Sequence, residues 1–183
     1  HSTVEEAPAE RDTRLVERTR AGDRSAFAEL VELYQRRVFA IAYRYVGTEE
    51  DAADLTQQAF LNAFERLDKL KDRGAFAGWL FRTVVNLAKN QIRFHASKSF
   101  VDVDTSALSS MSDGETRLDR EAQRRSMRSA IDRLPDKQRQ CVLLRIDAEL
   151  SFKEIGTVVG CSESSARVNY HYGLRALRGK LNP

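Results

Sequence analysis

Apolar positions along most of this chain recur at helical spacing rather than in alternation. Phe27, Leu30, Val31, Tyr34, Val38, Ile41, Ala42 and Tyr45 trace one face of a long helix. Asp23 stands where an N-cap belongs, and Gly47 stands where a left-handed C-cap belongs. Thr48-Glu49-Glu50-Asp51 predicts the start of a second helix, an acidic first turn favoured by the helix dipole. Its core stripe is Ala52, Leu55, Ala59, Ala63 and Leu67, with Phe60 and Phe64 alongside. A break near Lys71-Asp72-Arg73-Gly74 precedes a third helix, from about Ala75 to Phe94.

Beyond Phe94 the periodicity dissolves into Ser99, Ser106, Ser109, Ser110 and Ser112 interleaved with acids, the pattern of a flexible linker. Helical spacing resumes near Leu118, with Ala122, Met127, Ile131 and Leu134 on one face, and Pro135 opens a further helix. Ser151-Phe152-Lys153-Glu154 has the form of a capping box, and Gly160 ends the short helix it starts. Ser162 then N-caps a longer helix running to about Leu181. A short helix, a glycine turn and a longer helix predict a helix-turn-helix. The pattern is all-α, two bundles on a flexible tether. The predicted boundaries are a disordered tail at 1–11, a first domain at 12–95, a linker at 96–116 and a second domain at 117–183.

Composition agrees: 9 Gly and 3 Pro in 183 residues favour helices over turn-rich sheets. The net charge of +3 is modest, but from Gln123 to Pro183 there are 12 Lys and Arg against 6 Asp and Glu. That basic end suits a polyanion. Cys141 and Cys161 form no disulfide framework, and no run of 18 apolar residues predicts a membrane span. The acidic N-terminus lacks a signal-peptide pattern, so a cytoplasmic location is expected. His1, His95 and His171 are scattered, and no nucleophile motif or Cys/His spacing predicts catalysis, a metal or a cofactor.

Helical phase separates three polar faces. On the last helix Ala166, Tyr170, Leu174, Leu177 and Leu181 share the buried side. Ser164, Arg167, Val168, His171, Arg175 and Arg178 gather elsewhere, offering hydroxyl, guanidinium, imidazole and apolar groups to base edges and phosphates. On the third helix Phe76, Trp79, Leu80, Val84 and Leu87 point to the core. Arg82, Asn86, Lys89 and Arg93, flanked by Asn90, make a stripe that can track phosphates and hold an unpaired base. On the second helix Glu50, Asp54, Gln57, Gln58 and Leu61 form an acidic, amide-rich face, wrong in sign for DNA and suited to a basic helical partner.

These segments, from about Arg14 to Leu181, resemble the extracytoplasmic-function sigma factors. Asp51-Ala52-Ala53-Asp54-Leu55-Thr56-Gln57-Gln58-Ala59-Phe60 is similar to the polymerase-binding segment D-x-x-D-L-x-Q-E-x-F, with Gln58 in place of the common Glu. Trp79 to Asn90 is similar to the −10 reading segment W-L-[YF]-R-x-x-x-N-x-x-x-[DN]. Leu134-Pro135-Asp136-Lys137-Gln138-Arg139 and Leu150-Ser151-Phe152-Lys153-Glu154-Ile155 resemble the openings of region 4 and of its helix-turn-helix. Val168-Asn169-Tyr170-His171 departs from the commonest recognition helix.

The resemblance implies a sigma factor, with a region 2 bundle and a region 4 helix-turn-helix, that directs RNA polymerase core to promoters and assists melting at −10. It implies polymerase binding by Asp51, Asp54, Gln57, Gln58 and Leu61. It implies −10 contacts by Arg82, Asn86, Lys89, Asn90 and Arg93, with Lys71, Arg73 and Phe76 added from the specificity loop and Asn86 holding a flipped base. It implies −35 contacts by Ser164, Ser165, Arg167, Val168, His171, Arg175 and Arg178. The implied partners are the polymerase β′ clamp coiled coil and β flap, promoter DNA and an anti-sigma factor. A regulator using only the helix-turn-helix is the rival reading, and core-polymerase binding separates the two.

Overall fold

The computed structural model describes residues 6–98 and 115–181, and within them the chain forms eight α-helices with no strand. α1 (Pro8–Arg20), α2 (Arg24–Val46), α3 (Glu49–Arg66) and α4 (Phe76–Lys98) make the first bundle. α5 (Glu115–Asp132), α6 (Asp136–Ile146), α7 (Phe152–Val159) and α8 (Glu163–Leu181) make the second. Most of the expected linker lies outside the described residues.

Local signals act as the sequence predicts. Asp23 accepts from the Ser25 and Ala26 amides at the start of α2, and Gly47 ends it at φ 81°. The Ser25 hydroxyl and the Arg18 guanidinium hold the Asp23 carboxyl down to about 2. The Thr48 hydroxyl accepts from the Asp51 amide. Ser151 and Glu154 form the reciprocal capping box of α7, at 3.2 and 2.8 Å. Gly160 closes α7 at φ 79°.

The N-terminal boundary corrects the predicted tail at 1–11, because α1 begins at Pro8. Proline is favoured in a first helical turn, where its missing amide hydrogen costs nothing. Tertiary contacts then fasten the helix. The Arg14 guanidinium pairs with Glu6, and Arg20 donates to the Leu67 and Leu70 carbonyls beyond the end of α3. Tyr34 donates its hydroxyl to Asp12 at 2.5 Å, and Asp12 is only 1% exposed.

In the first core Tyr34, Phe76 and Phe81 meet at centroid distances of 5.8–5.9 Å. Truncating a buried ring such as Phe81 costs about 3–5 kcal/mol. In the second bundle, among the described side chains of α5, Ala130 and Ile131 at its C-terminal end are buried, while Ala122 is exposed and Met127 lies at the surface. Pro135 stands as the N-cap of α6, one residue before its first turn.

The two bundles are also packed on one another, which spacing along the chain does not foretell. Leu144, Ala148, Leu150 and Ile155 of the second belong to the same continuous buried cluster as Leu80 and Val84 of the first. α7 lies against α4, with α6 touching α2.

Candidate polymerase-binding and DNA-binding surfaces

On α3 the core stripe of Ala52, Leu55, Ala59 and Ala63 faces inward, which turns Asp54, Gln57, Gln58 and Leu61 outward. Asp51 is half-buried, and its carboxylate accepts the Thr48 hydroxyl at 2.8 Å. It therefore serves the helix start before any partner. The outward face continues into an open apolar groove of about 960 Å³ between α2 and α3. Phe27, Val31, Phe39, Leu61 and Phe64 line it, and Arg24 and Arg36 also border it.

Phe64 belongs to this groove rather than to the core. It is 47% exposed and packs edge-on against Phe27 at 5.0 Å. The signal was present in the sequence: at about 100° per residue, Phe64 falls on the side opposite Leu55.

Along α4, Arg82, Asn86, Asn90 and Arg93 are exposed and Lys89 is half-buried, while Val84, Val85 and Ala88 enter the core. Trp79 is half-buried 6.3 Å from Phe76, a packing role. Phe76 corrects the −10 set: it is 0% exposed and packs against Tyr34, so its ring belongs to the core. Its phase with Trp79 and Leu80 carried that information. Lys71 is exposed, whereas Arg73 is paired with Glu17 of α1. Arg82 is engaged too, its Nε donating to the Thr157 carbonyl of α7 at 3.1 Å.

The helix-turn-helix is fixed by close contacts. A Cβ on Gly156 would lie 2.7 Å from the Cys161 carbonyl oxygen, and one on Gly173 would lie 2.6 Å from Val142. The Ser162 hydroxyl accepts from the Ser165 amide at 3.1 Å, starting α8. Cys141 is fully buried, and burial raises its thiol to about 11, so it packs as a small apolar group.

From α8 the side chains of Ser164, Arg167, Val168, His171, Arg175 and Arg178 reach solvent. Ser165 is half-buried, and its carbonyl accepts from the Asn169 amide nitrogen at 2.9 Å. Arg167 is held by Glu163 at 3.3 Å and lies 4.6 Å from the centre of the Phe152 ring. Arg145 lies over the same ring at 4.9 Å. Tyr172, four residues after Val168 and thus on the same face, is 53% exposed beneath Arg175. Sequence phase could have added it to the reading face. Among the described residues no cluster of His, Cys, Asp and Glu could hold a metal ion, and no helix is long and apolar enough to cross a membrane.

A helix-turn-helix with an exposed cationic face, joined to a bundle with its own cation–amide stripe, defines a two-module DNA-binding protein. Residues 30–98 match the family model of Sigma-70 region 2, and residues 130–179 match that of Sigma-70, region 4. The chain is 32% identical to the ECF RNA polymerase sigma-E factor of Escherichia coli, over 94% of this chain and 95% of that protein. It is 27% identical to the ECF RNA polymerase sigma factor SigW of Bacillus subtilis, over 91% and 94%. The solved structure of CnrH in complex with the cytosolic domain of CnrY shares the fold at a TM-score of 0.71 and 22% identity, covering 94% of this chain and 97% of that one. The sigma factor RpoE, in complex with the anti-sigma factor NepR from Bartonella quintana, does so at 0.63 and 19%, covering 85% and 96%. The chain belongs to the extracytoplasmic-function RNA polymerase sigma factors. It is a promoter-specific transcription-initiation factor and not an enzyme.

Proposed function

We propose that this sigma factor divides its work among the three faces described above. The α3 face of Asp54, Gln57, Gln58 and Leu61 docks on the β′ clamp coiled coil, with the α2–α3 groove receiving apolar side chains beside it. On α4 the stripe of Arg82, Asn86, Lys89, Asn90 and Arg93 follows the non-template strand at −10, and Asn86 holds an unpaired base. Lys71 and Arg73 serve the neighbouring loop. From α8, Ser164, Arg167, Val168 and His171 read −35 base edges, while Arg175 and Arg178 meet phosphates. The second module also meets the β flap. The two bundles, the first beginning at Pro8, are the two working domains, the segment between them is the linker, and the chain acts in the cytoplasm.

The observation that carries this reading is the coexistence on one chain of an acidic face bordered by an apolar groove and two cationic faces of different chemistry. An anti-sigma factor completes the scheme. RpoE was solved with such a partner and CnrH with the cytosolic domain of CnrY, and the open apolar groove gives one a place to compete with polymerase.

Binding of the full chain to bacterial core RNA polymerase tests the division. Asp54→Ala is expected to weaken it about tenfold, or ~1.4 kcal/mol, leaving duplex binding by α8 intact. Unchanged core affinity would remove the α3 face from the scheme.

A further inference from the structure

Val168 and Tyr172 are each about half exposed on α8. Side chains four residues apart are neighbours on a helix surface, so the two make one apolar strip. At about 100° per residue, Val168 falls roughly 180° and Tyr172 roughly 140° from the buried Leu177. The strip therefore occupies the side of α8 that points furthest from the core, the part of the helix that would enter a groove first.

The polar groups beside the strip are already engaged. Arg167 is held by Glu163 at 3.3 Å and lies 4.6 Å from the centre of the Phe152 ring. His171 packs near the rings of Phe152 and Tyr170, at 6.4 and 5.3 Å. Arg175 braces the Tyr172 ring from 5.9 Å. Single exposed apolar groups are ordinary on a protein surface. An adjacent pair forfeits the gain of burial twice in one place, and that gain returns when an apolar surface arrives from outside. The flanking charges select what arrives. Glu163, paired with Arg167, is the only acid of α8, and Arg175, Arg178 and Lys180 are exposed. A polyanion fits them, and the apolar feature that duplex DNA presents in its major groove is the C5 methyl of thymine.

We infer that Val168 and Tyr172 form an apolar reader of thymine methyl groups in the −35 duplex, which makes Tyr172 a further specificity-determining residue. The inference rests on the assignment of α8 to −35 and names the feature of the bases that is read there. The two residues are about 6 Å apart along the helix axis at ~1.5 Å per residue. That is close to two base-pair steps of ~3.4 Å, so the two side chains meet different base pairs. Preference at those pairs comes from burying a methyl group against Val168 and against the Tyr172 ring, while Arg175 steadies the ring and reaches the backbone.

Deoxyuridine tests this, because it removes the methyl of thymidine and keeps every hydrogen-bonding group. Holoenzyme of the full chain with bacterial core RNA polymerase is presented with a promoter pool randomised across −35. It is expected to enrich thymine, on either strand, at two nearby positions. Replacing each enriched thymine by uracil is expected to lower holoenzyme affinity about threefold to fivefold per position. Val168→Ser is expected to abolish the uracil effect at one position and Tyr172→Gln at the other, both at unchanged helicity by circular dichroism. Tyr172→Phe is expected to keep it, since the ring rather than the hydroxyl meets the methyl.

Equal affinity for the thymine and uracil duplexes overturns the inference. So does a uracil effect that survives both substitutions, or one that Tyr172→Phe removes. A pool enriched at −35 in a sequence without thymine overturns the methyl reader and leaves α8 on −35. A pool enriched at −10 but not at −35 overturns the assignment of α8 and the methyl reader with it.

Discussion

The two helices proposed to face DNA differ in how their arginines are held. On α8, Arg167 is propped by a side chain of its own helix and by the Phe152 ring, and it stays exposed to solvent. On α4, Arg82 is spent on a backbone carbonyl of the other module, while Asn86, Asn90 and Arg93 remain outside. A helix entering an intact major groove gains from side chains fixed beforehand, since duplex geometry is regular. A helix receiving an unstacked strand has no such fixed target. Its groups can be engaged elsewhere until the strand appears.

The largest effect that would break this contrast is on α4. Asn86→Ala should reduce open-complex formation by more than tenfold, read by permanganate reactivity at −10, while closed-complex affinity changes little. Loss of closed binding first would show that Asn86 acts on duplex, as is proposed for α8. Next comes Arg167→Ala, which should relax preference at one or two −35 positions by about 1–3 kcal/mol each, measured by competition among promoter variants. A uniform loss across all sequences would make Arg167 a phosphate contact instead.

The smallest effect concerns the base of the first module. Burial raises the Asp12 carboxyl above its ordinary 3.8, against the opposing pull of the Tyr34 hydrogen bond and the Arg11 charge. A folded-state value above the unfolded one means that this contribution is full below about pH 4. It is lost as the pH rises through the folded value. Asp12→Asn removes the titration and leaves an oxygen for the Tyr34 hydroxyl. Its melting temperature relative to wild type should therefore climb by a few degrees between pH 4 and pH 7. A constant difference would mean that Asp12 titrates as an exposed carboxyl does.

Features decided within a few residues were legible in the sequence. Asp23, Gly47, Ser151 with Glu154, Gly160 and Ser162 mark helix ends because a side chain meets backbone two or three positions away, or because a backbone angle demands glycine. The faces of α2, α4 and α8 followed from phase alone. What escaped was decided between distant segments. α1 reaches back to Pro8 because Glu6, Arg11 and Asp12 find partners in α1 and α2. Nothing in the sequence around Arg82 announces its partner, since Thr157 is 75 positions away. Phe76 was placed with the DNA contacts by its neighbourhood in the chain, although its phase put it inside. Phe64 shows the reverse error, where strict phase would have turned it outward, and strict phase would also have added Tyr172 to the outer face of α8.

The ring of Phe152 has a consequence for how promoter preference can change. It belongs to α7, yet it lies under the guanidinium of Arg167 on α8 and also under that of Arg145 on α6. The aim of Arg167, proposed as a base-reading group, is thus inherited from two helices that carry no proposed base contact. Replacing Phe152 by Leu would keep the apolar anchor and remove the face on which Arg167 rests, swinging its reach without altering a single residue of α8. On the proposed assignment, sequence preference would be a property of three helices, and a code written only in the letters of the recognition helix would be incomplete.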